Sequence, residues 1–189
     1  MKLIFLDGSG RDGSYNRRLL EVYERRLRAT GLNFQATYVS PQSHPVPNLI
    51  PNTDPGEAST QITRQVRAAA MAAQGFVIAS PEYNGGPTGG LKNLIDWMTR
   101  PNADHPKGNP FAMAPTVLLS ASPGALGGIK GLQVLRLIMG HLRALVLPEQ
   151  VALAQCETAF DQAGEVHPGL SSDLLDAAAQ QMAHVLRTQ

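Results

Sequence analysis

Two hydroxyls, an amide and a guanidinium crowd the segment Gly8-Ser9-Gly10-Arg11-Asp12-Gly13-Ser14-Tyr15-Asn16. Ser9, Ser14 and Asn16 can donate hydrogen bonds, and Arg11 can grip phosphate oxygens two at a time. The backbone amides of residues 13–16 open a helix, whose positive end favours an anion. The same segment satisfies G-x-G-x-x-G through Gly8, Gly10 and Gly13, the fingerprint of a dinucleotide site. That fingerprint needs an acidic residue about 20 positions on to hold the ribose hydroxyls. No Asp or Glu occurs between Glu24 and Asp54, and no Arg or Lys between Arg28 and Arg64. The segment therefore reads as a cup for a terminal monophosphate. Ser14 also suits a plain helix cap, so Arg11 is the residue that separates binding from capping.

A second cluster runs from Ser80 to Trp97: Ser-Pro-Glu-Tyr-Asn-Gly-Gly-Pro-Thr-Gly-Gly-Leu-Lys-Asn-Leu-Ile-Asp-Trp. Its glycines let backbone approach a flat ring closely. Tyr83 can shield a ring edge, and backbone amides can reach a polar rim, which is what a flavin asks of its site. Taken alone, the glycines and prolines fit an ordinary strand-to-helix turn equally well. The phosphate cup suits FMN better than a pyrophosphate, which prefers bare glycine backbone.

With these residues in view, the chain resembles the NADPH-dependent FMN reductase family, the flavodoxin-like group that includes chromate, quinone and azo-dye reductases. The first motif, G-S-x-R-x-x-S-x-N, is matched by Gly8, Ser9, Arg11, Ser14 and Asn16. The second, P-E-Y-N-G followed by L-K-N-x-x-D-W, is matched by Pro81 to Gly85 and by Leu91, Lys92, Asn93, Asp96 and Trp97. The third, S-P-G-x-x-G-G, is matched by Ser122, Pro123, Gly124, Gly127 and Gly128. The resemblance implies that Ser9, Arg11, Ser14 and Asn16 surround the FMN phosphate. It implies that Pro81, Glu82, Tyr83, Asn84 and Gly85 contact the isoalloxazine, and that Ser122, Pro123, Gly124 and Gly127 approach its other rim. Lys92, Asn93, Asp96 and Trp97 read as structural, holding a helix and a subunit contact. Two positions depart from the pattern. Pro87 falls one place early, and Asp7 stands where a neutral residue is expected. A carboxylate there repels a phosphate unless it faces elsewhere.

The elements that must position these loops alternate along the chain. Apolar runs at residues 3–6, 34–39, 76–80, 116–121 and 146–154 read as strands, the last interrupted by Pro148. Helical spacing marks residues 16–30, 57–74, 89–98, 132–145 and 171–187. Residues 40–56 and 100–115 are proline-rich loops. Five strands alternating with five helices call for a parallel sheet covered on both faces. The expected architecture is a flavodoxin-like three-layer α/β/α sandwich with strand order 2-1-3-4-5, formed as one domain over residues 1–189. Ligands bind such sheets at the carboxyl ends of the strands, where all three motifs fall.

Composition narrows the function further. Among 189 residues, 43% are hydrophobic and the formal net charge is +1, which argues against a nucleic-acid surface. The arginines at 17, 18, 25, 26 and 28 read as a solvated helix face. Cys156 is the single cysteine, so no intrachain disulfide forms. The apolar run at residues 3–6 is shorter than the about 7–15 residues of a signal-peptide core, and no stretch reaches the about 18 apolar residues of a membrane span. The expected location is the cytoplasm. No two of the five histidines have metal-ligand spacing, and neither a nucleophile elbow nor a Walker lysine occurs. The expected activity is NAD(P)H-dependent reduction of a small acceptor (a quinone, free flavin, azo dye or an oxyanion such as chromate) by ping-pong through bound FMN, with NADPH or NADH as co-substrate and no metal. No protein acid or base is required, so no catalytic residue is named. The alternative is an electron carrier or regulatory flavoprotein without NAD(P)H turnover. A homodimer or homotetramer is expected, because residues 91–98 and 132–145 hold more apolar surface than one sheet face needs.

Overall fold

The computed structural model describes residues 1–50 and 56–188. Its element order is β1 (Lys2–Asp7), α1 (Tyr15–Ala29), β2 (Gln35–Val39), α2 (Glu57–Met71), β3 (Gly75–Ala79), β4 (Glu82–Tyr83), β5 (Gly86–Pro87), α3 (Gly89–Thr99), β6 (Pro115–Ala121), α4 (Ile129–His141), β7 (Leu145–Leu153) and α5 (Leu170–Thr188). The main sheet is wholly parallel with order β2-β1-β3-β6-β7. This is the expected order, with β6 and β7 as the fourth and fifth strands.

Alternation along β1 sets the two cores. Leu3 and Phe5 face α1 and α5, where they meet Leu20, Tyr23 and Leu27 of α1 and Leu175 and Met182 of α5. Ile4 and Leu6 face the other way, toward Val66 of α2, Leu91 and Leu94 of α3, and Leu132 and Leu135 of α4. Strands covered on both faces need continuous apolar runs, and β3 and β6 are buried throughout. The chain leaves β1 for β2 on one side and β3 on the other, so a crevice opens at the carboxyl ends where the strand order reverses.

Pro148 sits on the edge strand. Thr116 pairs with Val146 but Leu118 with Gln150, so the proline lies in a bulge where no ladder amide is demanded of it. Helix α4 starts three residues earlier than its apolar spacing suggests and stops before Leu142. Arg143 has a positive φ of 60°, which ends the helix and turns Ala144 into the strand. The arginine-rich face of α1 is paired rather than bare: Arg17 with Glu21, Arg28 with Glu24, and Arg25 and Arg26 with Glu165, Arg26 also with Asp176.

Within the described residues the two proline-rich segments are loops, as expected, and each is pinned. Pro51 and Pro55 lie outside the described residues. The Pro47 carbonyl accepts hydrogen bonds from Asn93 Nδ2 at 2.9 Å and Trp97 Nε1 at 2.7 Å, one helical turn apart on α3. That gives two motif residues a structural task, and Lys92 with Asp96 forms an ion pair beside them. Residues 100–115 wrap a buried arginine. Arg67 of α2 donates to the carbonyls of Met98, His105, Lys107 and Gly108 at 2.7–3.2 Å.

Candidate functional site

The loops after β1, β3 and β6 converge on one cleft of about 290 Å³. The β1 loop and the start of α1 contribute Ser9, Arg11, Ser14, Tyr15 and Asn16; the β3 loop contributes Pro81, Glu82 and Tyr83; the end of β6 contributes Ala121, Ser122 and Pro123. A neighbouring cleft of about 340 Å³ lies between Gly8, Gly10, Pro41 and residues Thr88, Gly89 and Gly90. Arg11 and Tyr83 line both clefts.

Ser14 caps α1, its Oγ accepting from the Arg17 amide at 3.2 Å. The amides of Tyr15 and Asn16 in the first turn have no intrahelical acceptor. Arg11 is exposed and forms no hydrogen bond or ion pair among the described residues; its guanidinium rests 5.8 Å from the Tyr15 ring centroid. It is the one cationic side chain lining the main cleft. Asn16 behaves differently. It is buried, its Nδ2 donates to the Ala121 carbonyl at 3.0 Å, and its Oδ1 accepts from the Ala121 amide at 2.9 Å. Its amide group thus bolts the β1 loop to the end of β6.

The β3 loop is a hairpin, a feature its glycines and prolines alone do not distinguish from an ordinary strand-to-helix turn. Glu82 pairs with Pro87 and Tyr83 with Gly86. Asn84 and Gly85 form the tip with positive φ values of 52° and 77°, the combination that type I′ turns require and Asn-Gly supplies. Asn84 and Gly85 therefore sit at the hairpin tip, outside the lining of the main cleft, while Tyr83 stands at its rim with 61% of its surface exposed. Pro87, displaced by one place in the motif, is the residue that ends this hairpin.

Gly124 lies in an exposed loop and its amide donates to Ser122 Oγ at 3.3 Å. Gly127 is buried with a φ of 61°, and a Cβ there would come within 2.5 Å of the Ala152 backbone. Its part is to let this loop close onto β7, away from the cleft lining.

Three residues outside the motifs also belong to the site, and Thr88 among them holds two loops in register. Thr88 Oγ1 donates to the Gly8 carbonyl at 2.6 Å and accepts from the Leu91 amide at 3.1 Å, so it caps α3 and ties that helix to the β1 loop. A threonine just before Gly-Gly-Leu is a legible cap signal. Ser80 Oγ donates to the Pro81 carbonyl at 2.9 Å. Tyr15 lines the cleft, signalled only by its place between Ser14 and Asn16.

Asp7 is 5% exposed, and its Oδ1 accepts the Ser9 amide at 2.9 Å. Burial pushes its carboxyl above the usual aspartate range, partly offset by the Ser9 amide, Arg17 and Ser14. The carboxylate folds back onto its own loop at the Ser9 amide, and Asp7 itself lines neither cleft.

The model of the NADPH-dependent FMN reductase family matches residues 1–158, which contain all three loops. The chain belongs to that family. Membership makes it an oxidoreductase with FMN as its cofactor and NAD(P)H as its co-substrate. Among its relatives, an NAD(P)H-dependent FMN reductase of Pseudomonas aeruginosa is 29% identical over 95% of this chain and 92% of that one. An NAD(P)H:quinone oxidoreductase of Solanum tuberosum is 34% identical over 68% of this chain, a match that spans 62% of the potato protein. A quinone reductase of Escherichia coli is 38% identical over 50% of this chain and 48% of its own length. In fold, the chain is similar to FerB, a flavoenzyme NAD(P)H:(acceptor) oxidoreductase from Paracoccus denitrificans, with a TM-score of 0.77 at 18% identity over 99% of this chain and 97% of that one. No helix among the described residues is long and apolar enough to cross a membrane.

Proposed function

We propose that this flavodoxin-like domain takes electrons from NAD(P)H and passes them to a small acceptor, with the main cleft as its FMN site. The observation that carries this reading is the meeting of all three loops around one cleft, with an arginine that forms no ion pair among the described residues in its lining and a tyrosine at its rim. The residues fit the cofactor. Arg11 and the first amides of α1 suit a terminal phosphate, and Ser9 and Ser14 line the same cleft. Pro81, Tyr83 and Pro123 offer apolar surface to a ring, and Ser122 adds a polar edge. Asn84, Gly85, Gly124 and Gly127 belong to the site as the turns that shape these walls. Bound FMN would supply hydride acceptance and electron transfer. The protein's part is to hold the phosphate, fix the ring between the hairpin and the β6 loop, and leave one face accessible.

Gly10 and Gly89 line the neighbouring cleft with no side chain, and a Cβ on either would stand in open space. An open face lets nicotinamide and acceptor use one site in turn, which is ping-pong behaviour. The names of the relatives support a quinone as the acceptor class, with azo dyes, free flavin and chromate-like oxyanions as further candidates; one relative is an NADPH azoreductase of a Bacillus strain. We place the protein in the cytoplasm, as a homodimer or homotetramer. Its self-association surface is α4 rather than α3. Leu91, Leu94, Ile95 and Met98 of α3 are consumed by the protomer's own core, while Val134 and Leu137 of α4 are exposed one turn apart.

Anaerobic mixing with NADPH tests the reading. The flavin absorbance of the loaded protein should bleach and return on adding a quinone, and double-reciprocal plots should be parallel. Bleaching by dithionite but not by NADPH or NADH would overturn it in favour of an electron carrier.

A further inference from the structure

The first loop carries an anion of its own. Asp7 ends β1 on the α1 side of the sheet, almost fully buried, with Oδ1 on the Ser9 amide at 2.9 Å. Ser9 and Ser14 line the cleft in which a phosphate would sit, so a carboxylate already holds one donor of that cup. No ion pair compensates that carboxylate among the described residues. From α1, Arg17 attracts it but is bonded to Glu21 at 2.8 Å, and Glu21 repels it. Arg17 also lies 3.6 Å over the Tyr38 ring. From β2, Tyr38 on this face gives its hydroxyl to Glu24 at 2.6 Å, and Glu24 is paired with Arg28. From β3 and β6, Ala79 and Ala121 bring no charge to this face. Arg11 and Asp12 stand exposed at the far end of the loop, Asp12 bonded to Gln42.

Two anions cannot share these donors at low cost. A phosphate monoester carries a charge of about −1.5 to −2 near neutral pH, and like charges at close range disfavour ionisation of one of them. The cheapest relief is a proton on the group that is already desolvated.

We propose that Asp7 is a built-in competitor for the phosphate cup, so that a phosphorylated flavin binds with uptake of a proton at Asp7 while riboflavin binds without it. The proton comes from solvent onto a carboxyl oxygen of Asp7, and the Ser9 amide is released to the phosphate. Asp7 thereby sets which flavin form the site takes and at what pH. The inference rests on the flavin reading above.

Isothermal titration of the apoprotein with FMN and with riboflavin, in buffers of different ionisation enthalpy at pH 7.5, tests it. Wild type should take up protons with FMN and none with riboflavin. Asp7→Asn should remove the excess uptake and tighten FMN about tenfold or more, with riboflavin within about twofold. The phosphate's own ionisation, near pH 6, is common to both proteins and cancels in the comparison. Equal proton uptake by wild type and variant, or no gain in FMN affinity, would overturn the proposal. Should the variant fail to fold, wild type alone decides. Above pH 7.5 the phosphate is fully ionised, so the ratio of FMN to riboflavin dissociation constants should keep rising with pH; a flat ratio would refute competition at Asp7. Failure of wild type to bind either flavin would remove the flavin reading itself, a different result from binding both with the same pH response.

Discussion

Glu82 Oε2 accepts the Gly131 amide at 2.9 Å, so a carboxylate from the β4–β5 hairpin closes the first turn of α4. That turn has amides without intrahelical acceptors, and negative charge is favoured there. Gly131 makes the approach possible: a Cβ on it would lie 3.2 Å from Glu82 Cβ. The hairpin that bears Tyr83 is thus tethered to the helix behind the β6 loop, and two walls of the cleft move together.

Breaking this tether has a defined cost. Glu82→Ala should lower stability by about 1–2 kcal/mol, a fall in Tm of roughly 2–8 °C for a chain of this size. Glu82→Gln keeps an acceptor for the Gly131 amide and should recover much of the loss. Riboflavin affinity should fall in the alanine variant more than in the glutamine variant, because the ring wall is loosened. Thermal melts and fluorescence titrations check both points. An unchanged Tm in Glu82→Ala would show that the hairpin is held by other contacts.

Arg11 should be read out by the phosphate alone. Its guanidinium forms no hydrogen bond or ion pair among the described residues and only a long contact with the Tyr15 ring at 5.8 Å, so Arg11→Ala should leave the Tm close to wild type. FMN should weaken by roughly 1.5–3 kcal/mol, the usual worth of a hydrogen bond to a charged group, and riboflavin should not change. Equal weakening of both flavins would place Arg11 at the ring or the ribityl chain instead.

The sheet order was legible because β1, β3 and β6 are short apolar runs separated by helices with clear spacing, and right-handed crossovers leave few alternatives. The three loops were legible because motif residues at strand ends must converge in such a sheet. Individual roles were harder to read. Asn16 and Gly127 match a binding motif, yet their contacts are with Ala121 and with the backbone of β7, and only the fold brings those partners near. The Asn84-Gly85 turn was present in the sequence as a hairpin signal. It was obscured because the flanking strands are two residues each, too short to alternate visibly. Arg25 and Arg26 of α1 pair with Glu165 and Asp176, about 140–150 residues away.

Arg67 carried no sequence signal at all, being one arginine among alanines on α2. In the fold it is fully buried, and its five hydrogen bonds all go to backbone carbonyls. Burial lowers its pKa, but an arginine stays charged throughout the working pH range. Arg67→Met should cost about 3 kcal/mol or more, because the carbonyls of the 100–115 loop lose their donors. Arg67→Lys should rescue little, since one ammonium cannot reproduce a planar fork that reaches four residues. Urea unfolding measures the loss, and proteolysis should begin within residues 100–109. A small effect in Arg67→Met would mean that the loop keeps its path without the guanidinium.

Asp7 should make stability depend on pH even with no flavin present. Its carboxyl titrates above the ordinary 3.8 in the folded protein, chiefly because burial penalises the charged form. The proton therefore binds Asp7 more tightly in the folded state than in the unfolded chain. Its stabilising contribution is complete below pH 3.8 and is lost as pH rises through the folded pKa, where the unfolded chain ionises freely and the folded one resists. Asp7→Asn is neutral at every pH, retains an acceptor for the Ser9 amide, and escapes that loss. The gap in Tm between variant and wild type should therefore be small near pH 4, widen in favour of the variant as pH rises, and level off once Asp7 is ionised in both states. Thermal melts of the two apoproteins from pH 4.5 to 8 decide the point. A gap that narrows with rising pH would mean that the folded protein prefers the ionised carboxylate, with Arg17 and the Ser9 amide outweighing desolvation.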